Sequence, residues 1–342
     1  MKNNPQKILI IQTAFLGDVI LTTPLVKAVR ELYPQAFISI LLIPQTAEVF
    51  ESNPRINQII LYDKKGKQKG VKDFFKLVKF IQKEKFDLAL LPHRSFRSAL
   101  LAYLSAIPQR IGFYTSPGSF LYTSEVTYRS NLHEIERVLS LLSPLGHDVH
   151  NIKPELFPKD EDLIWADKFL NECGIDKSKK IVGIAPSSVW ATKRWMPEGY
   201  AYVGDRLISE SNIEVLLLGS RADENLLLKI SSLMNKKPVI PIGKLTLLKS
   251  AALIFRCSAV LSNDSAPVHM AVASGKPVVA IFGSTLPEFG FYPYGEGHTI
   301  IQKELYCRPC GIHGRKSCPE IHFRCMREIS PDEVVQAVKK YL

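Results

Sequence analysis

Several signals that mark other protein classes are missing from this chain of 342 residues. No run of about 18 uninterrupted apolar residues occurs, so we expect no membrane-spanning helix. The first residues lack a signal-peptide cleavage site, which favours a cytoplasmic location in which the six cysteines stay reduced. No helix-turn-helix or zinc-finger spacing occurs, and aromatic residues are not interleaved with basic ones as in a single-strand stacking platform. We therefore expect no nucleic-acid partner.

The glycine-rich loop of dinucleotide-binding folds is missing as well. After the first apolar run, Gly17 is the only glycine where a Gly-x-Gly-x-x-Gly loop would need three. We therefore expect no nicotinamide or flavin, and we predict that no cofactor is required.

Acidic residues are the minority among the charges. The chain has 33 Asp and Glu against 44 Lys and Arg, a net charge of +11. Residues 64–85 hold nine lysines but only two acids, Asp73 and Glu84. Such a segment can be a solvated helix face with a loop, or it can attract an anionic membrane surface or an acidic glycan.

Short β-rich apolar runs alternate with helical patterns along the chain, which predicts α/β domains with mostly parallel sheets. The length is too great for one ordinary core and fits two domains. A proline-bearing stretch at residues 151–159 reads as the linker. We predict an N-terminal domain over residues 1–155, a C-terminal domain over 156–330, and a last helix, 331–342, that packs back on the N-terminal domain. Predicted strands lie at 7–13, 37–42, 56–61, 88–91, 110–113, 181–185, 215–218, 239–240, 260–262 and 278–282.

The sequence NDSAPVH, residues 263–269, is the most informative stretch. It follows an apolar run and precedes a helical pattern, which indicates a strand, a polar turn and a helix. Asp264 or Ser265 would cap the helix and leave N–H groups pointing out of the turn. Such a turn binds anions at the carboxyl edge of a parallel sheet. His269, one helical turn after Ser265, can face the same turn or can be a packed helix residue.

The loop after the first predicted strand of the C-terminal domain combines small hydroxyls, cations and two tryptophans. Ser187, Ser188 and Lys193 belong to it. Hydroxyls and cations suit a diphosphate. The alternative is a basic surface loop that the tryptophans anchor.

Two segments of the N-terminal half lie at predicted strand ends. Thr13 and Gly17 allow close backbone approach after the first strand. Asp18 there can act as a general base toward a sugar hydroxyl, or it can be a helix N-cap. Arg94 and Arg97 follow another strand, where they could pair with acceptor phosphates or carboxylates, or could be ordinary surface arginines.

Three blocks of the sequence, residues 12–29, 186–198 and 262–285, resemble the signature of glycosyltransferase family nine, the ADP-heptose:lipopolysaccharide heptosyltransferases. Residues 105–113 are also similar to this family. The resemblance covers nearly the whole chain and is closest to the heptosyltransferase II branch. Two departures are visible, because the family usually has glycine at the position of Ser187 and often has glycine at that of Ala266.

The resemblance implies a GT-B fold, in which two doubly wound, Rossmann-like domains face a central cleft. The N-terminal domain would bind the acceptor and the C-terminal domain the donor. The implied donor is ADP-L-glycero-D-manno-heptose, and the implied acceptor is the inner core of lipopolysaccharide, made at the inner face of the inner membrane. The reaction would be an inverting transfer without a metal, since oriented N–H dipoles and a lysine can stabilise the departing ADP.

Roles for individual residues follow from the same resemblance. Asp18 matches the catalytic base, and Lys193 matches the residue that steadies the diphosphate. Either Asp223 or Glu224 would hold the donor ribose. The donor-binding candidates are Ser187, Ser188, Asp264, Ser265, Ala266 and His269, and the acceptor-binding candidates are Thr13, Gly17, Arg94 and Arg97.

Other functions stay open at this point. A nucleotide-sugar epimerase or hydrolase of the same fold would share the donor contacts without needing an acceptor. A non-catalytic protein could bind an anionic surface through its basic segment. The cysteines at 307, 310, 318 and 325 add a further question, since their spacing can indicate a small zinc site, a redox-sensitive pair or free thiols that pack a loop.

Overall fold

A computed structural model describes residues 4–64, 66–211, 213–241, 243 and 245–342. The chain divides into two compact units, Met1–Phe157 and Pro158–Leu342. This division lies two residues beyond the boundary expected from the proline-bearing stretch.

The N-terminal unit is built on a sheet whose central strands are almost wholly apolar, as the sequence predicts for a parallel sheet covered on both faces. The strands are β1 (Lys7–Ile11), β2 (Phe37–Leu42), β3 (Gln58–Leu61), β4 (Leu88–Leu91), β5 (Gln109–Phe113) and β6 (Ser124–Val126). The helices are α1 (Leu16–Ile20), α2 (Thr23–Leu32), α3 (Val71–Glu84), α4 (Phe96–Leu104) and α5 (Glu134–Leu139). The helical pattern over 132–145 gives only α5 and a 3₁₀ turn, Ser140–Leu145, because Pro144 has no N–H to continue the α-helical ladder.

These strands form one six-stranded sheet in the order β3-β2-β1-β4-β5-β6, with every neighbouring pair parallel. The order reverses direction between β1 and β4. Ligands of such sheets bind outside the carboxyl ends of the strands at this reversal. The topology therefore directs attention to the residues that follow β1 and β4.

The C-terminal unit repeats the plan. Its strands are β7 (Ile181–Ala185), β8 (Glu214–Leu217), β9 (Ala259–Asn263), β10 (Val278–Phe282) and β11 (Thr299–Gln302). Its helices are α6 (Asp160–Glu172), α7 (Pro197–Ser211), α8 (Glu224–Leu233), α9 (Leu247–Arg256), α10 (Ala266–Ala273), α11 (Arg324–Arg327) and α12 (Pro331–Lys339).

The second sheet is parallel in the order β11-β10-β9-β7-β8, so its reversal lies between β7 and β9. The strand expected at 239–240 is reduced to a single bridge between Val239 and Leu216. Pro238 and Pro241 flank this bridge, and neither has the N–H that a longer ladder requires.

Helix α12 belongs to the core of the C-terminal unit, where it packs against α7. Val334, Val335 and Val338 are fully buried there. The prediction that the last helix packs back on the N-terminal domain is therefore wrong, because its apolar face completes the core of its own unit.

Candidate active site

The carboxyl ends of β1 and β4 carry a connected polar group. The hydroxyl of Thr13, which follows β1, lies 3.0 Å from Nδ1 of His93, which follows β4. Lys64 Nζ donates to the Thr13 carbonyl at 2.8 Å and approaches the Thr13 hydroxyl at 3.1 Å. Three segments thus meet at the reversal point of the first sheet.

His93 is held in its neutral form at this edge. Burial, and then the nearby positive charges of Lys64 and Arg94, together lower the pKa of His93 to about 4. A neutral imidazole can exchange a hydrogen bond with Thr13 without adding charge.

Asp18 lies in the first turn of α1 and is half-buried. It is not the N-cap, because Phe15 occupies that position without a side-chain cap. The Thr22 hydroxyl donates to the Asp18 carbonyl at 2.8 Å, and the Leu21 N–H donates to the Gly17 carbonyl at 3.0 Å. These bonds fix the backbone of the turn, while the position near a helix N-terminus favours a negative carboxylate.

Arg94 and Arg97, just beyond β4, are both held against aromatic rings. The Arg94 guanidinium lies 3.9 Å from the ring centre of Tyr128, and that of Arg97 lies 5.2 Å from the ring centre of Tyr62. Cation–π contacts orient a guanidinium while leaving its N–H edge for an anion. Both guanidinium groups are therefore kept near the end of β4 by an aromatic ring.

The Tyr128 ring that Arg94 contacts belongs to a buried polar group. Tyr128 donates from its hydroxyl to Glu134 at 2.9 Å, and Arg137 donates to the same carboxylate at 3.0 Å. Burial and the Glu134 charge raise the pKa of Tyr128 to about 12, so the hydroxyl keeps its proton. Burial also raises the pKa of Glu134.

The reversal point of the second sheet holds an ion pair. Lys193 Nζ lies 2.6 Å from Oδ2 of Asp264, which follows β9. The same oxygen accepts from the Thr285 hydroxyl at 2.6 Å, and Thr285 comes after β10. Only 13% of the Lys193 side chain and 8% of the Asp264 side chain are exposed, so water screens the pair weakly.

The turn before α10 is tied to the loop after β7. Ser265 is the N-cap residue of α10, but its hydroxyl donates to the Ser187 carbonyl at 3.1 Å instead of capping the helix. The Asp264 carboxylate is used by the ion pair. Ser265 thus occupies the predicted N-cap position, but neither its side chain nor that of Asp264 caps α10, and both hold neighbouring elements instead.

Asn263, at the end of β9, fixes the same loop from inside. Its amide donates to the Pro186 carbonyl at 2.6 Å, while its carbonyl oxygen accepts from the Trp195 N–H at 3.0 Å and the Tyr200 hydroxyl at 2.8 Å. All of its side-chain groups are thus used inside the protein. The tryptophan at 195 is buried by this arrangement, which explains its place in a polar loop.

Two buried hydroxyls at the same edge of the sheet have no partner in the described part of the chain. They belong to Ser187, after β7, and Ser284, after β10. Buried hydroxyls are normally hydrogen-bonded in folded proteins. Their placement at the carboxyl edge indicates a ligand that accepts hydrogen bonds.

His269 is buried on α10. Burial, and then the charge of Lys193, lowers its pKa to about 4, so the imidazole is neutral near pH 7. Ala266, in the first turn, occupies the position at which the resembling family often has glycine.

Asp223 and Glu224 differ in how they are used. One carboxylate oxygen of Asp223 accepts from the Ser220 N–H at 2.9 Å and from the Ser220 hydroxyl at 2.6 Å, which closes the turn before α8. Glu224 begins α8, and it forms no ion pair or side-chain hydrogen bond with any residue that the structure describes. Glu224 is therefore the better placed of the two to bind a ligand.

The cysteine-bearing segment after β11 packs against the lysine loop. Thr192 exchanges hydrogen bonds with Arg315: the Thr192 N–H donates to the Arg315 carbonyl at 3.1 Å, and the Arg315 N–H donates to the Thr192 hydroxyl at 2.7 Å. Gly314 adopts a φ of +86°, and a Cβ there would lie 3.2 Å from Lys193, Ser284 and Thr192. The segment thus packs closely against the stem of Lys193, and a side chain at position 314 would crowd it.

No metal centre is formed by the residues that the structure describes. No three His, Cys, Asp or Glu side chains among them are arranged to hold a metal ion. Cys307 Sγ lies 3.9 Å from His322 Nε2, and burial raises the pKa of Cys325 to about 11. An Asp-x-Asp spacing, which in other proteins can bind a metal, occurs at residues 160–162. It forms the first turn of α6, where Asp162 accepts from the Lys159 N–H.

Comparisons with known proteins agree with this arrangement. The family model "Glycosyltransferase family 9 (heptosyltransferase)" matches residues 74–320. The lipopolysaccharide core heptosyltransferase OpsX of Haemophilus influenzae is 30% identical over 284 residues, which cover 81% of this chain and 79% of that protein. Lipopolysaccharide heptosyltransferase 2 of Escherichia coli K12 is 25% identical, with 83% and 84% of the two chains covered.

Solved structures show the same fold. A glycosyl transferase family 9 protein from Veillonella parvula superposes with a TM-score of 0.87 at 24% identity, over 98% of this chain and 97% of the other. The ADP-heptose lipopolysaccharide heptosyltransferase II of Escherichia coli gives 0.80 at 22% identity, over 98% of each chain.

Two parallel sheets, with their candidate sites at the reversal points, define an α/β enzyme of the GT-B class. The chain belongs to glycosyltransferase family 9, the heptosyltransferase family. The resemblance seen in the sequence is confirmed, and an enzyme replaces the alternative of a non-catalytic binding protein.

Within each unit, the structure brings together most of the residues that the sequence singled out. Lys193, Asp264, Ser265 and Ser187 meet at one edge, and Thr13 lies beside the loop that holds Arg94. Four residues at these edges were not predicted as site residues from the sequence, namely His93, Lys64, Thr285 and Ser284. His93 is next to Arg94 in the sequence, and Ser284 and Thr285 are the last residues of the third family-like block. Their positions just after predicted strands are the feature of the sequence that could have identified them.

The described chain has no helix that is both long enough and apolar enough to cross a membrane.

Proposed function

We propose that this glycosyltransferase moves a heptose from ADP-L-glycero-D-manno-heptose to the inner core of lipopolysaccharide. Two relatives that are named as lipopolysaccharide heptosyltransferases align with about four-fifths of the chain. This similarity supports the proposed donor and acceptor. One observation carries it furthest: a nearly buried lysine, paired with Asp264, shares its sheet edge with two buried hydroxyls that have no partner among the described residues. That set suits a diphosphate.

The donor would be held at the edge of the C-terminal sheet. Lys193 would neutralise charge on the diphosphate, while the hydroxyls of Ser187 and Ser284 donate hydrogen bonds to it. Asp264 acts as a positioning residue, because its carboxylate is used by Lys193 and Thr285. Glu224 would accept from the donor ribose, and neutral His269 and the first turn of α10 complete the donor surface. Ser188 and Ala266 lie in the same loop and turn.

The acceptor would be held at the edge of the N-terminal sheet. Asp18 takes the proton from an acceptor hydroxyl as its oxygen attacks the anomeric carbon of the heptose. The bond from that carbon to the β-phosphate oxygen of ADP breaks, and the configuration at the carbon inverts. Negative charge grows on the leaving diphosphate, where Lys193 and the hydroxyl donors stabilise it most. Arg94 and Arg97 would pair with acidic groups of the acceptor, and Thr13 and Gly17 shape the turn that carries Asp18.

The proposed route uses no metal and no cofactor. We also place the protein in the cytoplasm, peripherally on the inner face of the inner membrane, where a lipid-linked acceptor would be presented. The net charge of +11 supports an anionic surface as the partner.

Product analysis tests the proposal. The purified protein is incubated with ADP-heptose and a water-soluble inner-core fragment, and mass spectrometry follows both substrates. We expect the fragment to gain one heptose while ADP is released in equal amount. Consumption of ADP-heptose at the same rate without the fragment would instead identify a hydrolase or epimerase.

A nucleotide screen tests the donor assignment separately. A bound ligand raises the unfolding midpoint in proportion to RT ln(1 + [L]/Kd), so ADP should raise it more than UDP or GDP at equal concentration. Equal shifts for the three nucleotides would contradict ADP selectivity while leaving a diphosphate site intact.

A further inference from the structure

Helix α3 has two opposite faces. Phe74, Leu77, Val78 and Ile81 are buried in the core of the N-terminal unit. On the opposite side, four exposed lysines follow one another at helical spacing and form a ridge. This lysine ridge consists of Lys72, Lys76, Lys79 and Lys83.

Exposed apolar side chains flank the lysine ridge. Phe75 is 49% exposed on one side and Phe80 is 40% exposed on the other, with Val71 at 73% near the start of the helix. Large apolar side chains beside lysines are the composition of a helix that lies in a membrane interface. The exposed part of each ring is apolar surface that a membrane interface would cover.

A groove adjoins the helix along the edge of the sheet. It has a volume of about 360 Å³ and lies between Lys76 and Phe80 of α3 and the residues of β3. Strand β3 is the outer strand of the six-stranded sheet, and its Leu61 is 47% exposed. The groove is thus apolar at its base and has an ammonium group at its rim.

The acids near the ridge leave most of its charge uncompensated. Asp73 pairs with Lys76 at 3.0 Å, and Glu84 pairs with Lys7 at 2.7 Å, away from the ridge. Within the part of the chain that the structure describes, Lys72, Lys79 and Lys83 form no ion pair. An anionic partner would therefore meet uncompensated positive charge at three of the four ridge positions.

We propose that α3 and the groove beside β3 dock the enzyme on an anionic lipid bilayer. The lysine ridge contacts lipid phosphates, the rings of Phe75 and Phe80 enter the boundary between headgroups and acyl chains, and the groove takes part of one lipid. This rests on the proposed function, because a lipid-linked acceptor would require a membrane-bound enzyme. The mixture of lysine and phenylalanine favours a bilayer over nucleic acid, since phosphate backbones would use the lysines alone.

Vesicle binding tests the docking surface. The intact protein is mixed with vesicles of phosphatidylcholine, with or without abundant phosphatidylglycerol, and the bound fraction is measured by sedimentation. One variant changes the four ridge lysines to Gln, and a second is Phe75→Ser with Phe80→Ser. A control changes four exposed lysines of the C-terminal unit to Gln, namely Lys229, Lys236, Lys237 and Lys340.

The expected results separate the two parts of the surface. Each ridge lysine should contribute about fivefold in affinity, so the ridge variant should bind phosphatidylglycerol vesicles about a hundredfold more weakly or worse. The phenylalanine variant should lose about tenfold and, unlike the native protein, should be released fully at about 1 M salt, where charges are screened within about 3 Å. The charge-matched control should bind like the native protein.

Either of two outcomes would overturn the docking proposal: equal losses in the ridge variant and the control, or a phenylalanine variant that binds like the native protein at high salt. Transfer to a water-soluble acceptor fragment is measured in parallel. Every one of these variants should keep that activity, because none changes a proposed substrate contact. Absence of transfer in the native protein would refute the proposed function, whereas intact transfer with unchanged vesicle binding refutes only the docking surface.

Discussion

The two sheet edges are built on the same topology but hold their charged groups in different ways. At the C-terminal edge, Lys193, Asp264 and Thr285 form a nearly buried group with bonds of 2.6 Å, and Asn263 ties the surrounding loop from below. At the N-terminal edge, Arg94 is exposed and lies against a tyrosine ring, and Asp18 is half-buried in a short helix.

This difference fits two kinds of ligand. A nearly buried site with fixed donors suits a small diphosphate, because preorganised dipoles need no rearrangement during reaction. Cations that rest on aromatic faces suit a larger, branched anionic acceptor, because they can adjust to it while staying near the site. We therefore propose that the C-terminal edge recognises the donor and that the N-terminal edge removes the proton from the acceptor.

The largest effect is expected from Asp18. Asp18→Asn removes the proposed base, and turnover should fall about a hundredfold or more in a coupled assay of ADP release. Asp148→Asn, which changes an exposed acid of the same unit, should leave turnover unchanged. Full activity in the Asp18 variant would remove the base assignment.

A double variant should separate the effect of the ion pair on stability from the effect of Lys193 on donor binding. Lys193→Met leaves Asp264 buried without its cation, which should lower the free energy of unfolding by about 3 kcal/mol and strongly weaken donor binding. Adding Asp264→Leu should recover most of the stability but none of the donor affinity. The measurements are urea unfolding and calorimetric titration with ADP. Recovered donor affinity in the double variant would show that Lys193 does not bind the diphosphate.

A smaller effect is expected from the segment that covers the ion pair. Gly314→Ala places a methyl group 3.2 Å from Lys193 and strains a φ of +86°, so the KM for the donor should rise several-fold. Gly311→Ala in the same segment also has a positive φ, +145°, but its Cβ would meet nothing within 4 Å. The control should lose stability without a change in KM. Equal KM values for the two variants would argue against steric control of the lysine.

The last prediction concerns pH. The pKa of His93 and that of His269 are each lowered to about 4, in both cases mainly by burial. The unfolded chain takes up these protons near pH 6.5, so the contribution to stability is complete above that value and declines as the pH falls toward about 4. The slope is at most about 1.4 kcal/mol per pH unit for each histidine. Urea unfolding of His93→Gln and His269→Gln at several pH values should show a shallower decline than the native protein, and an unchanged decline would contradict the burial argument.

Much of this architecture was predictable from the sequence. The central strands were visible because they are apolar on both faces, and the turns after β1, β7 and β9 were visible because polar residues interrupt those runs. Strands β6 and β11 were missed, since a three-residue strand and an isolated Ile pair show no period. The last helix was misplaced because amphipathicity reveals a buried face but not the surface that buries it.

The candidate site was only partly predictable for a related reason. Sequence position identified Lys193 and Asp264 separately, but their ion pair depends on the neighbouring placement of β7 and β9. Lys64 was counted as part of a basic surface, although it is bonded to Thr13, 51 positions earlier in the chain. Such contacts follow from strand order, which local patterns do not encode.

Titration of ADP into three proteins tests the central assignment most directly. Calorimetry on the native protein, Asp18→Asn and Lys193→Met measures the nucleotide affinity of each at one salt concentration. The account predicts that Asp18→Asn binds ADP as the native protein does, whereas Lys193→Met binds at least about tenfold more weakly. Equal weakening in both variants, or native affinity in the Lys193 variant, would contradict the division of labour between the two sheet edges.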